Sequence, residues 1–285
     1  MDQVLLSLIN CYKNEDEVFG FCNMMFSLPD SNRIHIVINV NSFSGKEDIN
    51  SFQTKVSKIS RNISVFTSSY NLGYLNGMLY GYSMYVRHNK SSAIQVDWVI
   101  MSNTDVKIIN LDFVKCILDK KRYDNNVVCL APQIHRLSPD GYEKHYFERY
   151  KRSKLLLLSC VNCIGIFSLL YRNLASLRNH IDGKQYNTGR QIYEAHGSFF
   201  IIRKRYMTTL TSKVWPCIMY NEEGFISDSV YKTGNAEFYD PSLKIEHIGN
   251  TTTKLLPDKD KRKMMMQSYK FLLDIYKVNY WGNPN

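Results

Sequence analysis

The sequence predicts an α/β fold: a mostly parallel, Rossmann-like central sheet flanked by helices, closed by an amphipathic helix near the C-terminal end. Three observations predict it. Short apolar runs alternate with helix-period patterns through the first hundred residues. Each apolar run ends in a polar cluster, as strands do when a ligand sits at their carboxyl ends. Near the end, Met265, Tyr269, Leu272 and Tyr276 fall on one helical face, with Lys263, Gln267, Lys270 and Lys277 opposite.

The elements follow in order. Residues 4–9 are apolar and read as a buried first strand, and 14–27 as a helix. Residues 34–38, 63–67 and 98–101 read as three further strands. Residues 45–59 and 74–87 carry the helical period between them. The four strand ends are Asn10 to Lys13, Asn39 to Ser42, Ser68 to Gly73 and Ser102 to Asp105. Beyond them, His196 to Arg203 reads as a strand, and the acids Glu222 and Glu223 open a helix followed by a short strand.

At 44% hydrophobic and 22% charged, the 285 residues belong to a globular protein, not a disordered or fibrous one. One large core, or one core with a small appendage, is expected. The division is a domain over 1–250, with an apolar and basic helical insertion at about 142–190, and a basic helical tail over 251–285. The start has no basic stretch leading into an apolar run and a small-residue cleavage site, so no signal peptide is expected. The seven cysteines are scattered and odd in number. Cys160 and Cys163 form the only close pair and lack the further ligands zinc needs, so reduced thiols in a cytoplasmic protein are expected.

The net charge of +10 is concentrated. Residues 142–190 hold nine Lys and Arg against three Asp and Glu, and 251–285 hold seven against three. The remainder balances, so the excess sits on two stretches suited to phosphate or an anionic surface. Nothing matches a helix-turn-helix, zinc-finger or RNA-stacking pattern, and no nucleic-acid partner is expected. Residues 155–171 carry no charge. They are short of the roughly 20 residues of a membrane span. Ser159, Asn162, Gly165 and Ser168 give them a polar stripe. Three readings stay open: an interfacial helix, a buried core or oligomer helix that would make a homodimer, and a true span. The expected location is the inner face of the cell membrane, with peripheral attachment.

Four segments carry chemistry. Asp105, directly after a buried strand, can hold a divalent cation against a diphosphate, or merely cap a turn at an exposed strand end. Asn71, Gly73 and Gly77 lie between a strand and a helix, where backbone can approach an anion or simply pack tightly. Glu222 and Glu223 offer a general base, or a solvated helix start. His247 is a further metal ligand, or a structural histidine.

In order and spacing these segments resemble the family 2 glycosyltransferases of the GT-A fold, over about residues 3–250. They look most like the bacterial rhamnosyl- and galactofuranosyl-type transferases of surface-polysaccharide assembly, such as O-antigen, lipopolysaccharide or capsule. The resemblance implies an inverting enzyme moving a sugar from a UDP- or dTDP-linked donor to a saccharide acceptor, one carried on undecaprenyl diphosphate. It places Asn10, Asn39, Asn71, Gly73, Asn103 and Asp105 at the donor, with Asn41 as the alternative to Asn39. It places His196, Gly197, Ser198 and Glu222 at the acceptor, and Glu223 as the base. Asp105 and His247 would hold Mn²⁺ or Mg²⁺. Asn103 replaces the first acid of the family's Asp-x-Asp motif and Asn39 replaces another Asp, so the site carries less negative charge. The competing reading is a non-catalytic relative that binds a nucleotide sugar and scaffolds an assembly.

Overall fold

Alternation along each strand sends successive side chains to opposite faces. In β1 (Gln3–Cys11), Leu6 and Leu8 enter one buried cluster while Leu5 and Ile9 enter another. The sheet is therefore covered on both sides. The computed structural model describes residues 3–41, 46–89, 95–119, 121–137, 140–163, 186–249 and 256–277.

The four predicted strands are all present. β1 lies between β2 (Ile34–Asn41) and β4 (Gln95–Ser102), and β2 pairs with β3 (Ile63–Ser68), every pair parallel. The order β3-β2-β1-β4 contains one reversal, between β1 and β4. Helices α1 (Glu15–Phe26) and α2 (Lys46–Ile59) follow β1 and β2 and cover one face. Helix α3 (Tyr74–His88) carries the chain back past β1, and so lies on the other face. In open α/β sheets ligands bind at such a reversal, here at the carboxyl ends of β1 and β4.

The second half of the sheet is mixed. β5 (Val106–Ile108) and the short helix α4 (Phe113–Leu118) lead to β6 (Val127–Leu137), whose hairpin partner is β7 (Asp140–Tyr142). β9 (Phe199–Arg203) joins the halves, antiparallel to both β4 and β6. β10 (Ala236–His247) runs parallel to β6 and antiparallel to β5 and to β8 (Arg190–Ile192). Most of the paired length is parallel.

Helices α6 (Lys204–Thr211) and α7 (Glu222–Lys232) pack on the α3 face. So does the predicted tail helix, α8 (Asp258–Lys277), through Leu272, Leu273 and Ile275. Helix α5 (Arg152–Cys163) lies against α8, burying Leu155 and Leu158. Each such leucine contributes about 1.5–3 kcal/mol. Leu156 and Leu157, next along the helix, remain more than half exposed. The uncharged stretch 155–171 and the proposed insertion 142–190 thus fall partly outside the described residues. No helix among the described residues is long and apolar enough to cross a membrane.

Candidate active site

Register brings the motif residues together. Val106 pairs with His247, so Asp105, the residue just before β5, arrives beside the last residue of β10. The Ile248 amide donates to the Asp105 carbonyl at 3.0 Å. Asp105 Oδ1 and His247 Nε2 are 3.5 Å apart, and both side chains are buried. The exposed strand-end position expected of Asp105 is thereby corrected: β5 and β10 fold over it.

The asparagines expected at the donor lie together where β1 and β2 meet the start of α3. Asn10 Nδ2 donates to the Tyr74 carbonyl at 2.7 Å. Asn39 Nδ2 donates to Asn41 Oδ1 at 2.8 Å and to Asn10 Oδ1 at 3.3 Å. Asn41 donates to the Gly73 carbonyl and accepts from Ser68. Asn39 is fully buried. Its NH2 group is spent inside this network, while its Oδ1, the atom expected to accept from the donor base, is buried and has no hydrogen-bond partner among the described residues. Gly77 of α3 makes the network possible, because a Cβ there would strike Asn10 and Asn39.

Asn71 accepts the Gly73 amide at 2.9 Å, which turns the chain into α3. Gly73 has φ +82, and a Cβ there would collide with the Ile218 backbone. Tyr74 N–H donates to the Ile218 carbonyl at 2.8 Å, and Asn76 bonds both backbone groups of Trp215. The donor loop and the segment before the acids are therefore locked together. Tyr220 and Asn221, just ahead of α7, both have positive φ. Such left-handed strain costs about 1–3 kcal/mol per residue and is tolerated where geometry matters.

His196, Gly197 and Ser198 do not begin a strand as expected. β9 starts at Phe199, and the three form the turn before it. The cause is local: His196 Nδ1 accepts the Ser198 N–H at 3.3 Å and lies 2.9 Å from the Ser198 hydroxyl, bending the chain. Asn103 N–H donates to the Ser198 carbonyl at 2.9 Å, so this turn abuts the β4 end. The Tyr74 hydroxyl donates to the Gly197 carbonyl at 2.9 Å. Burial, then the charges of Glu222, Asp105 and Glu223, raise its pKa.

Both acids of the pair open α7. Glu223 stands over Gly197: a Cβ on that glycine would lie 3.0 Å from Glu223 Oε2. Burial raises the pKa of Glu223. Burial, then the charge of Glu223, raises that of Glu222 further. Glu222 is the more buried of the two and keeps its proton more readily.

Sequence reasoning missed several acids. Glu143, after β7, has Oε1 3.1 Å from His247 Nδ1 and Oε2 3.5 Å from His196 Nε2. Burial opposes its ionisation, but the His247 hydrogen bond and the charges of His196, His247 and Arg136 hold its carboxyl down at about 2. The same contacts, with Asp105, overcome burial and push His247 up to about 9. Glu194 is buried, and its pKa is raised well above the carboxylate range by burial and the charge of Glu223. Glu143, Glu194, His196 and Glu223 line one cavity of about 190 Å³ with Tyr142 and Tyr146. The only signal for Glu143 or Glu194 is an isolated acid in a basic stretch, or beside a motif, which marks nothing alone.

A cation seat fits the chain. One carboxylate and one imidazole, 3.5 Å apart, are an oxygen and a nitrogen donor that would serve as two ligands of a divalent cation. Among the described residues no group of three or more His, Cys, Asp or Glu is arranged to hold a metal unaided. Diphosphate oxygens would complete such a seat.

No protein-family model and no curated protein matches the sequence. Solved structures do match the fold. GalNAc-T7, crystallised with UDP, GalNAc and Mn²⁺, is similar with a TM-score of 0.56 at 11% identity, over 99% of this chain and 58% of that one. The mannosyltransferase PcManGT from Pyrobaculum calidifontis, in complex with GDP-Man and Mn²⁺, gives 0.55 at 8% identity, over 100% of this chain and 66% of that one. The chain therefore spans only about three fifths to two thirds of the length of these structures. At such identities the likeness is one of architecture, and the architecture is the GT-A glycosyltransferase fold.

Proposed function

We propose that the chain is an inverting glycosyltransferase that moves a sugar from a nucleoside-diphosphate donor, UDP- or dTDP-linked, to a saccharide acceptor. One observation carries the reading: the Asp105–His247 pair and Glu223 meet around Tyr74 and Gly197 at the carboxyl edge of the sheet. The metal-bound nucleotide or nucleotide sugar in both similar structures supports the donor class and a divalent cation. The oxygen–nitrogen pair suits Mn²⁺ better than Mg²⁺, which prefers oxygen alone.

The chain's own residues divide the work. The Asn10–Asn39–Asn41 network and the Asn71–Gly73 turn shape the donor floor. Asp105 and His247 would hold the cation, which when bound neutralises the departing diphosphate. Glu223 takes the acceptor hydroxyl proton as that oxygen attacks the anomeric carbon from the opposite face. The transition state is oxocarbenium-like, as in glycoside hydrolysis. His196, Gly197, Ser198 and Glu222 are assigned to the acceptor; of these His196 lines the cavity, together with Tyr142 and Tyr146, whose rings suit a sugar.

A thermal-shift screen against UDP-, dTDP- and GDP-sugars with Mn²⁺ tests this. The correct donor is expected to raise the melting midpoint by mass action, and to be hydrolysed or transferred. Binding without turnover on any acceptor would favour the scaffold reading. No shift with any donor would end both.

The acceptor we propose is lipid-linked, on undecaprenyl diphosphate, in surface-polysaccharide synthesis at the inner membrane face. Supporting it, Leu156 and Leu157 are exposed on α5, which also carries Arg152 and Lys154 and packs against α8, whose first half carries Lys259, Lys261, Arg262 and Lys263. Each basic residue near an anionic surface contributes about 1 kcal/mol, screened by salt. The chain is expected to float with anionic liposomes at low salt and to be released at high salt. Absence from anionic vesicles at low salt would leave α5 as a packing or homodimer element.

A further inference from the structure

We propose that Glu143 is a positioning residue of the cation seat, holding the His247 ring so that its Nε2 faces Asp105. The inference rests on the metal-dependent reading above. A carboxylate only accepts hydrogen bonds, and Glu143 Oε1 lies 3.1 Å from His247 Nδ1. Asp105 also only accepts, but it stands farther off, at 3.5 Å from Nε2, which has no hydrogen-bond partner among the described residues; the hydrogen of the neutral imidazole therefore sits on Nδ1, toward Glu143. The lone pair is left on Nε2, the atom 3.5 Å from Asp105. An imidazole binds a metal through the nitrogen that carries no hydrogen, so this hydrogen bond selects the useful atom.

The other oxygen of Glu143 steadies the arrangement. His196 Nδ1 accepts from the Ser198 backbone, so its hydrogen is on Nε2, pointing toward Glu143 Oε2 at 3.5 Å. Arg136 Nη1 stands 3.6 Å from the same oxygen. Sheet register makes this possible: Arg136 is paired with His247 across β6 and β10, and the β7 hairpin returns Glu143 to that point. One carboxylate thus spans the cation seat and the acceptor-side turn. It also returns, behind the imidazole, a negative charge that Asn103 does not provide. Such outer carboxylates raise ligand basicity, and their loss typically weakens metal binding about 10–100-fold.

Mn²⁺ titration followed by electron paramagnetic resonance, on the full chain with and without UDP, tests this. Glu143→Leu keeps volume and removes the acceptor, and is expected to weaken Mn²⁺ binding toward 100-fold. Glu143→Gln keeps a carbonyl acceptor but not the charge, and is expected near the 10-fold end. Melting curves establish that each variant is folded, since a merely structural role would move the midpoint and not the Mn²⁺ affinity of the folded protein. If either folded variant binds Mn²⁺ as tightly as wild type, the proposal is overturned. Wild type failing to bind Mn²⁺ even with UDP would instead overturn the metal-dependent reading itself.

Discussion

Glu223→Gln is expected to lower kcat by at least about 10²-fold while donor binding stays nearly unchanged. The substitution keeps size and most hydrogen bonding but cannot accept the proton. The geometry favours Glu223 over its neighbour. Its carboxylate lies against Gly197 and opens on the cavity shared with His196 and Glu194. Glu222 is buried, and two like charges on adjacent buried residues cannot both ionise cheaply. The deeper acid keeps its proton the more readily, so Glu223 is the one of the pair to ionise first, at the N-terminus of α7, where the helix dipole favours a negative group. Burial raises the Glu223 pKa, so activity should fall as pH drops through a value above the ordinary carboxylate range. Glu222→Gln replaces a largely neutral acid by a neutral amide, and should act through acceptor KM or stability. Steady-state kinetics with donor titrations separate these outcomes. Near wild-type turnover in Glu223→Gln, with Glu222→Gln dead, would move the base one residue back. Activity in both would remove α7 from the catalytic machinery.

Asp105→Ala is expected to abolish transfer while the protein stays folded. The β4 core, with Trp98, Val99, Ile100 and Met101 all buried, does not depend on this carboxylate. The local cost is real, since His247 loses one of two acidic partners; a lost buried hydrogen-bonding group costs about 1–3 kcal/mol. Excess chelator should reproduce the loss in wild type, and Mn²⁺ should restore it. His247→Ala should weaken metal dependence more than stability, and Asn103→Asp should be tolerated and tighten the cation. Full wild-type activity in excess chelator would sink the metal assignment.

The first four strands were legible because each is a short, mostly apolar run bounded by turn residues, and they stand at 3–11, 34–41, 63–68 and 95–102. The tail helix was legible because its apolar stripe is regular. β6 was not, because Pro132, Gln133, His135 and Arg136 interrupt its hydrophobic character. β10 was read only as a short strand. Asp240 and Pro241 look like a turn, whereas the chain absorbs them in a register shift between Asp240 and Lys244. The same gap hid the partners of the site. Asp105 and His247 could be named from motif order, but what faces them depends on β6, β7 and β10. Glu143 and Glu194 acquire meaning only through that pairing. The burial of Asn39 was likewise invisible, since an Asn at a strand end reads the same whether it faces a ligand or an amide network.

The antiparallel splice made by β9 has a consequence for how the protein is born. Until β9 leaves the ribosome, β4 presents an unpaired edge of buried-type residues, Trp98 to Ser102. Such an edge is a template for wrong partners. The contacts that join the start of α3 to later segments are equally remote: Tyr74 to Gly197 spans 123 residues, and Asn76 to Trp215 spans 139. Pairings of that range are slow to find. The N-terminal half can thus form its parallel layer early in translation and then wait as a sticky, inactive intermediate. A fragment that stops before the later strands lacks Glu223 and His247, and so holds only part of the proposed constellation.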